Sequence, residues 1–213
     1  MNVEEEKVTV VHWGVSTDQF FPESEQNIQG VRNQLNLFRD YFMMVSCDIG
    51  RKNTELLMEN FRNYTKQGGK NDLVLIWKDC PKSIRDEYKK QIEEKRIHLI
   101  GGISDDELRA LYSGAVLTFF PSKYEGFGLP ILESFACGTP VVTCRNSSLE
   151  EVGGKTAFYV PEDSETAMAH YMHEFEEGKY NRNELKQAAL KHIQNFSWQK
   201  VAEEYIRFYL HYL

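Results

Sequence analysis

Four short runs of this chain are almost wholly apolar: Tyr41–Ser46, Leu73–Trp77, Val116–Phe120 and Pro140–Cys144. A strand with one wet face alternates polar and apolar residues, whereas runs like these belong to strands buried on both sides. Helical patterns fill the gaps. Residues 54–67 place Leu56, Leu57, Asn60, Phe61 and Tyr64 at helical spacing, and Gly68-Gly69 ends the pattern. Further strands are expected at Val8–His12, Ile97–Ile100 and Ala157–Val160, and further helices near 29–39, 82–95, 104–113, 130–137, 164–176, 182–195 and 198–212. Ser104 with Glu107 reads as a capping box, as does Ser148 with Glu151 at the head of a one-turn helix. This alternation predicts an α/β fold, a Rossmann-like doubly wound parallel sheet with helices on both faces. Ligands of such sheets bind beyond the carboxyl ends of the strands. The polar loops 47–53, 101–107, 121–129 and 145–149 each follow an expected strand, which is consistent with a single cleft.

The third of these loops is the densest in chemistry. Pro121–Gly138 reads PSKYEGFGLPILESFACG, with two carboxylates, Glu125 and Glu133, around a glycine-rich turn that runs into a helix start. Gly126 and Gly128 permit backbone angles closed to other residues and keep side chains out of a ligand's way. Pro130 suits the first helical position, where a missing N–H costs nothing, and Glu133 is expected in the first turn. Free N–H groups there suit an anion such as phosphate. An anion site flanked by two acids points to a ligand carrying both phosphate and hydroxyls, such as a nucleotide-sugar.

Composition narrows the partners. A chain of 213 residues is one domain by default, able to bury roughly 70% of its unfolded surface. Its 25 basic and 32 acidic residues leave a net charge of −7, which argues against a nucleic acid polymer while allowing a nucleotide held by two or three local cations. Cys47, Cys80, Cys137 and Cys144 form no C-x-x-C pair and read as buried, reduced thiols of a cytoplasmic protein. No run approaches the roughly 20 apolar residues of a membrane span, and the acidic start Asn2–Glu6 is unlike a signal peptide. His170 and His173 share a helix without a nearby carboxylate pattern, so they are expected to be exposed and no metal site is expected.

Glu125-Gly-Phe-Gly-Leu-Pro-Ile-Leu-Glu133, followed by Ala136-Cys-Gly-Thr-Pro-Val-Val142, resembles the paired-glutamate signature of retaining glycosyltransferases of the group-1 (family 4) class, which have the GT-B fold. Gly14-Val15, Arg51-Lys52-Asn53, Ser104–Leu108, Leu111–Ala115 and Phe196-Ser-Trp198 follow the family's spacing, so the resemblance covers about 10–212. GT-B enzymes have two Rossmann-like halves, and these motifs belong to the C-terminal, donor-binding half. The resemblance therefore implies an excised domain or the product of a truncated frame, lacking its N-terminal acceptor-binding domain. Residues 1–40 would be a lead-in segment, the interdomain strand and loop packed on the same domain, and 41–213 the nucleotide-sugar (donor) binding domain.

The same resemblance implies roles. Glu133 would accept hydrogen bonds from the ribose hydroxyls, its two oxygens taking a vicinal diol in a bidentate way. Glu125 would contact the donor sugar, as nucleophile or as stabiliser of an oxocarbenium-like charge. Lys52 would neutralise the leaving diphosphate without a metal, helped by bidentate contacts from Arg51. Gly126, Phe127, Gly128 and Leu129 would offer backbone N–H groups to sugar and diphosphate. Gly102 and Ile103 would meet the nucleobase, with Leu108 nearby, although Leu108 reads equally well as core. Ser147 and Ser148 lie within reach of the donor, with capping a sufficient reason for Ser148. One departure stands out: relatives carry an arginine six residues before the lysine, preceded by glycine, where this chain has Ser46 and Val45. The aromatic stripe Trp198, Tyr205, Phe208, Tyr209 and Tyr212 suits either core packing or a surface for the absent half, through which peripheral membrane association is also open. The implied activity is transfer of a sugar from a UDP- or GDP-linked donor, with no cofactor, at the inner face of the membrane and in cell-surface polysaccharide or glycoconjugate synthesis. The alternative is a non-catalytic nucleotide-sugar binding module.

Overall fold

One parallel sheet of six strands organises the computed structural model, which describes residues 8–211. In chain order the elements are α1 (Glu25–Gln34), β1 (Tyr41–Met44), α2 (Thr54–Lys66), β2 (Asp72–Ile76), α3 (Lys82–Glu87), α4 (Lys89–Glu93), β3 (Ile97–Ile100) and α5 (Asp105–Gly114). There follow β4 (Leu117–Phe120), α6 (Leu129–Ala136), β5 (Val141–Cys144), α7 (Leu149–Gly153), β6 (Phe158–Val160), α8 (Ala167–Glu176), α9 (Arg182–His192), a 3₁₀ turn and α10 (Trp198–His211). The spatial order is β3-β2-β1-β4-β5-β6. The chain winds outward from β1 to β3, crosses back to β4 on the other side of β1, and winds outward again. The switch point lies between β1 and β4, where Phe42 faces Leu117.

The apolar runs explain this directly. All four residues of β1 are fully buried and feed both faces of the sheet. Tyr41 and Met43 pack with Leu111, Leu132 and Ala189 from α5, α6 and α9. Phe42 and Met44 pack with Leu57, Ile84 and Met168 from α2, α3 and α8. Burial of such side chains stabilises by about 1.5–3 kcal/mol each. Asn60 joins the helices of the second layer: its Oδ1 accepts from Met168 N and Ala169 N, both at 3.1 Å, capping α8 from α2.

Several local expectations change. Residues 8–16 form no strand, and Val8 and Val10 stand exposed. The sheet edges are β3 and β6, and this stretch pairs with neither; its anchor is Val15 N donating to Phe196 O at 2.9 Å. The helix expected near 29–39 starts earlier, where Ser24 Oγ accepts from Asn27 N. The one expected over 82–95 splits at Tyr88, which is buried with the Arg62 guanidinium 4.4 Å above its ring. The Ser104–Glu107 capping box forms; the one at Ser148 does not, because Ser148 is itself helical and its hydroxyl is used elsewhere. His173, expected at the surface, packs its ring 4.7 Å from that of Tyr64. All four cysteines are buried and unpaired. Trp198, Tyr205 and Tyr209 lie exposed along α10, where Val201 is the buried residue. Tyr212 and the acidic Asn2–Glu6 stretch lie outside the described residues.

Candidate functional site

Two loops meet at the switch point. The first leaves β1 and turns at Gly50 and Asn53, both with positive φ, before α2 begins. Asn53 ties this turn to its neighbours, its Nδ2 donating to Pro121 O at 3.2 Å and Glu162 O at 2.7 Å. Lys123 N donates to Arg51 O at 2.9 Å, joining the loop to the one after β4. Lys52 is thereby buried, its ammonium 4.6 Å from the centre of the Phe120 ring.

The second loop carries Glu125. Its Oε1 lies 2.7 Å from Lys52 Nζ and 2.8 Å from Arg51 Nη1, and its side chain is 12% exposed. Burial opposes its ionisation, but Lys52 and Arg51 outweigh that and hold its pKa below the ordinary value. The backbone here is pinned by two serines. Ser147 Oγ accepts from Glu125 N at 3.2 Å, and the Ser148 hydroxyl lies 3.0 Å from Glu125 O and 2.8 Å from Phe127 O as a shared donor. Ser148 is therefore a brace for the Glu125 loop rather than a helix cap.

The glycines divide differently than expected. Gly128 has φ 110°, and a Cβ there would meet Leu149 Cδ2 at 3.0 Å, so this position requires glycine. Gly126 has no positive φ and a Cβ would meet nothing within 4 Å, so the protein's own packing does not demand glycine there. Gly128 is the N-cap of α6, no side chain caps it, and Leu129 rather than Pro130 is the first helical residue. Glu133 accordingly falls in the second turn, too far along for the free N–H groups to hold it. Its partner is Tyr112 on α5, whose hydroxyl donates to Glu133 Oε2 at 2.9 Å. Burial raises the Glu133 pKa, against the lowering effect of that bond. One oxygen is thus already engaged, and bidentate capture of a diol by both oxygens is altered accordingly.

A cavity of about 450 Å³ brings these groups together. Of the residues expected at the site, Lys52, Leu108, Glu125, Phe127, Gly128, Leu129 and Glu133 line it. Arg51 stands at its edge through Glu125, and Gly126 is exposed on the turn above. Gly102, with φ 71°, instead lines a separate cleft of about 600 Å³ with Trp77, Lys78 and Arg85. Ile103 packs, partly buried, against the core cluster that holds Leu111 and Leu132. Trp13, Val45, Ser46, Ile76 and Pro130, not expected in the lining, complete it. Trp13 had no local signal; it is half-exposed, with its ring 5.9 Å from that of Phe127. Ser46 brings no charge to the wall.

A parallel sheet in this order, with a cationic loop and an acid-flanked glycine turn at its switch point, has the Rossmann-like architecture of a GT-B domain. The structure of Anabaena Alr3699/HepE in complex with UDP and glucose superposes with a TM-score of 0.83 at 19% identity, over 99% of this chain and 58% of that one. The family described as glycosyl transferases group 1 matches residues 28–192, and the chain belongs to that family. Among its relatives, O-antigen chain mannosyltransferase B of Escherichia coli is 35% identical over 114 residues, 53% of this chain and 30% of that protein. The MMP alpha-(1->4)-mannosyltransferase of Mycolicibacterium hassiacum is 28% identical over 212 residues, 97% of this chain and 49% of that protein. The chain spans half or less of the length of such relatives.

Proposed function

We propose that this chain is the donor-binding part of a retaining, metal-independent glycosyltransferase, taking a sugar from a UDP- or GDP-linked donor to an acceptor held by a second, N-terminal domain. The observation that carries this reading is the convergence of Arg51 and Lys52 on one oxygen of Glu125, beside a cavity that Lys52, Glu125, the start of α6 and Glu133 line together. Two cations suit a diphosphate that gains charge as the sugar departs. Glu125, held ionised beside them, suits the face of the sugar where positive charge develops. Glu133, a largely buried acceptor, suits the ribose. Arg51 would supply the cation that Ser46 does not. UDP and glucose in the HepE complex support a nucleotide-sugar donor, and the mannosyl transfer named for two relatives supports transfer of a sugar. The role fits cell-surface polysaccharide or glycoconjugate synthesis at the cytoplasmic face of a membrane; among the described residues no helix is long and apolar enough to cross one.

Calorimetry with UDP, GDP, ADP and TDP and their sugars tests the reading. One nucleotide diphosphate binds, and transfer appears once the acceptor domain is supplied. At about 100 times Kd, binding adds roughly 2.7 kcal/mol, and the melting temperature rises on the order of 5–10 °C for a domain of this size. Absence of binding across the saturating panel overturns it.

A further inference from the structure

The Tyr112 hydroxyl has one acceptor, Glu133 Oε2, and the ring that carries it is wholly inaccessible to solvent. Its placement is set from several sides. Thr139 Oγ1 donates to Tyr112 O at 2.6 Å, locking α5 to the end of α6. Ser134, beside Glu133, donates to Thr118 Oγ1 at 2.9 Å, fixing α6 on β4. Phe20 meets the Tyr112 ring edge-on at 6.0 Å. Among the described residues Tyr112 is the one side chain that donates to Glu133, so Oε1 is left for the cavity that Glu133 lines. A phenol aimed at one carboxylate oxygen from beneath does two things. It fixes the plane of the carboxylate, and it stabilises the anion where burial disfavours it.

We infer that Tyr112 is a positioning residue that presents Glu133 Oε1 to the cis hydroxyls of a ribose, and so makes the site selective for ribonucleotides over 2′-deoxyribonucleotides. This rests on the reading of the cavity as a nucleotide-sugar site. An ionised Oε1 has two lone pairs and accepts from O2′ and O3′ together; a protonated carboxyl accepts less well. The charged and titratable groups around Glu133 are Tyr112, Asp105 and Arg109 from α5, Cys137 from α6, and Lys52 and Glu125, which line the same cavity. Tyr112 is the one bonded to it. Removing that bond leaves burial and Asp105 to push the carboxyl upward, so the Tyr112→Phe protein holds Glu133 protonated to a higher pH than the wild type.

The experiment compares Kd for UDP and GDP with their 2′-deoxy forms from pH 5.5 to 8.5, in the wild type and in Tyr112→Phe. The wild type prefers the ribonucleotide by about tenfold. Tyr112→Phe loses most of that preference while the 2′-deoxy affinity stays unchanged, and its ribonucleotide binding weakens on acidification from a higher pH than in the wild type. Equal losses for both sugars, or an unshifted pH profile with the preference intact, overturn the inference and leave Tyr112 a packing residue. Should Tyr112→Phe not fold, Glu133→Gln decides. It keeps an acceptor for the phenol, and it must lose the ribose preference together with the pH dependence; retention of both overturns the inference. A wild type that binds the nucleotides without ribose preference also overturns it, whereas a wild type that binds none overturns the function proposed above.

Discussion

Lys52 Nζ and Glu125 Oε1 lie 2.7 Å apart with both side chains almost wholly buried, and Arg51 reaches the same oxygen at 2.8 Å. The cations assigned to the donor diphosphate are therefore held by the acid assigned to the sugar, so phosphate and carboxylate compete for them. Glu125→Gln removes the competing charge. Its affinity for the nucleotide diphosphate is expected to rise about tenfold, roughly 1.4 kcal/mol, while transfer by the enzyme with its acceptor domain falls steeply. Calorimetry beside a transfer assay measures both, and weaker diphosphate binding would refute the competition.

The same pair links stability to pH. Glu125 has a folded pKa below its ordinary 4.5, so its contribution is present above that value and lost as pH falls through the lower folded one. In Lys52→Met, burial is opposed chiefly by the half-exposed Arg51, and the Glu125 pKa rises. Urea unfolding from pH 3 to 8 is expected to show the variant less stable at neutral pH and the difference shrinking on acidification. A difference independent of pH would show that Lys52 stabilises by packing alone.

Glu133 works in the opposite sense. Its folded pKa is raised, so the ionised carboxylate lowers stability once pH exceeds the unfolded value of 4.5. Glu133→Gln retains an acceptor for Tyr112 without the charge. A higher melting temperature is expected at pH 7, with no gain below pH 4.5, together with nucleotide binding weakened by about 1–3 kcal/mol. Calorimetric melting at the two pH values checks the sign, and a loss of stability at pH 7 would contradict it.

The two glycines of the turn separate fold from site. Gly128→Ala places a Cβ 3.0 Å from Leu149 at φ 110° and is expected to destabilise by about 1–3 kcal/mol. Gly126→Ala meets no protein atom within 4 Å and should leave stability unchanged while weakening donor binding. Chemical denaturation and calorimetry on both variants measure the contrast; destabilisation by Gly126→Ala would remove it.

Ser148 braces the same turn, its hydroxyl reaching two carbonyls. Ser148→Ala is expected to lose about 1 kcal/mol of stability and to reduce transfer through the loosened Glu125 loop. An unaltered urea midpoint would show the brace to be dispensable.

What could be read from the chain follows the range of the forces involved. Strands β1, β2, β4 and β5 were legible because burial on both faces writes an unbroken apolar run, and the Ser104 cap because both of its partners lie within one turn. Val8–His12, valine-rich but broken by Thr9, was expected as a strand yet is not one, since pairing depends on a neighbour that only the assembled sheet supplies. The helix expected over 82–95 breaks where Tyr88 turns into a core built from distant residues.

The sequence by itself determined the fold class and the chemistry at the switch point: Lys52 after one apolar run, and Glu125, Gly128 and Glu133 after another. These are local facts of residue type and order. Only the tertiary structure decided that Lys52 and Arg51 share one oxygen of Glu125, that Ser148 braces the loop instead of capping a helix, that Gly102 opens onto a separate cleft, and that Tyr112 stands beneath Glu133. Each depends on contacts across tens of residues, set by how helices settle on the two faces of the sheet, and such distances leave no periodicity in the chain.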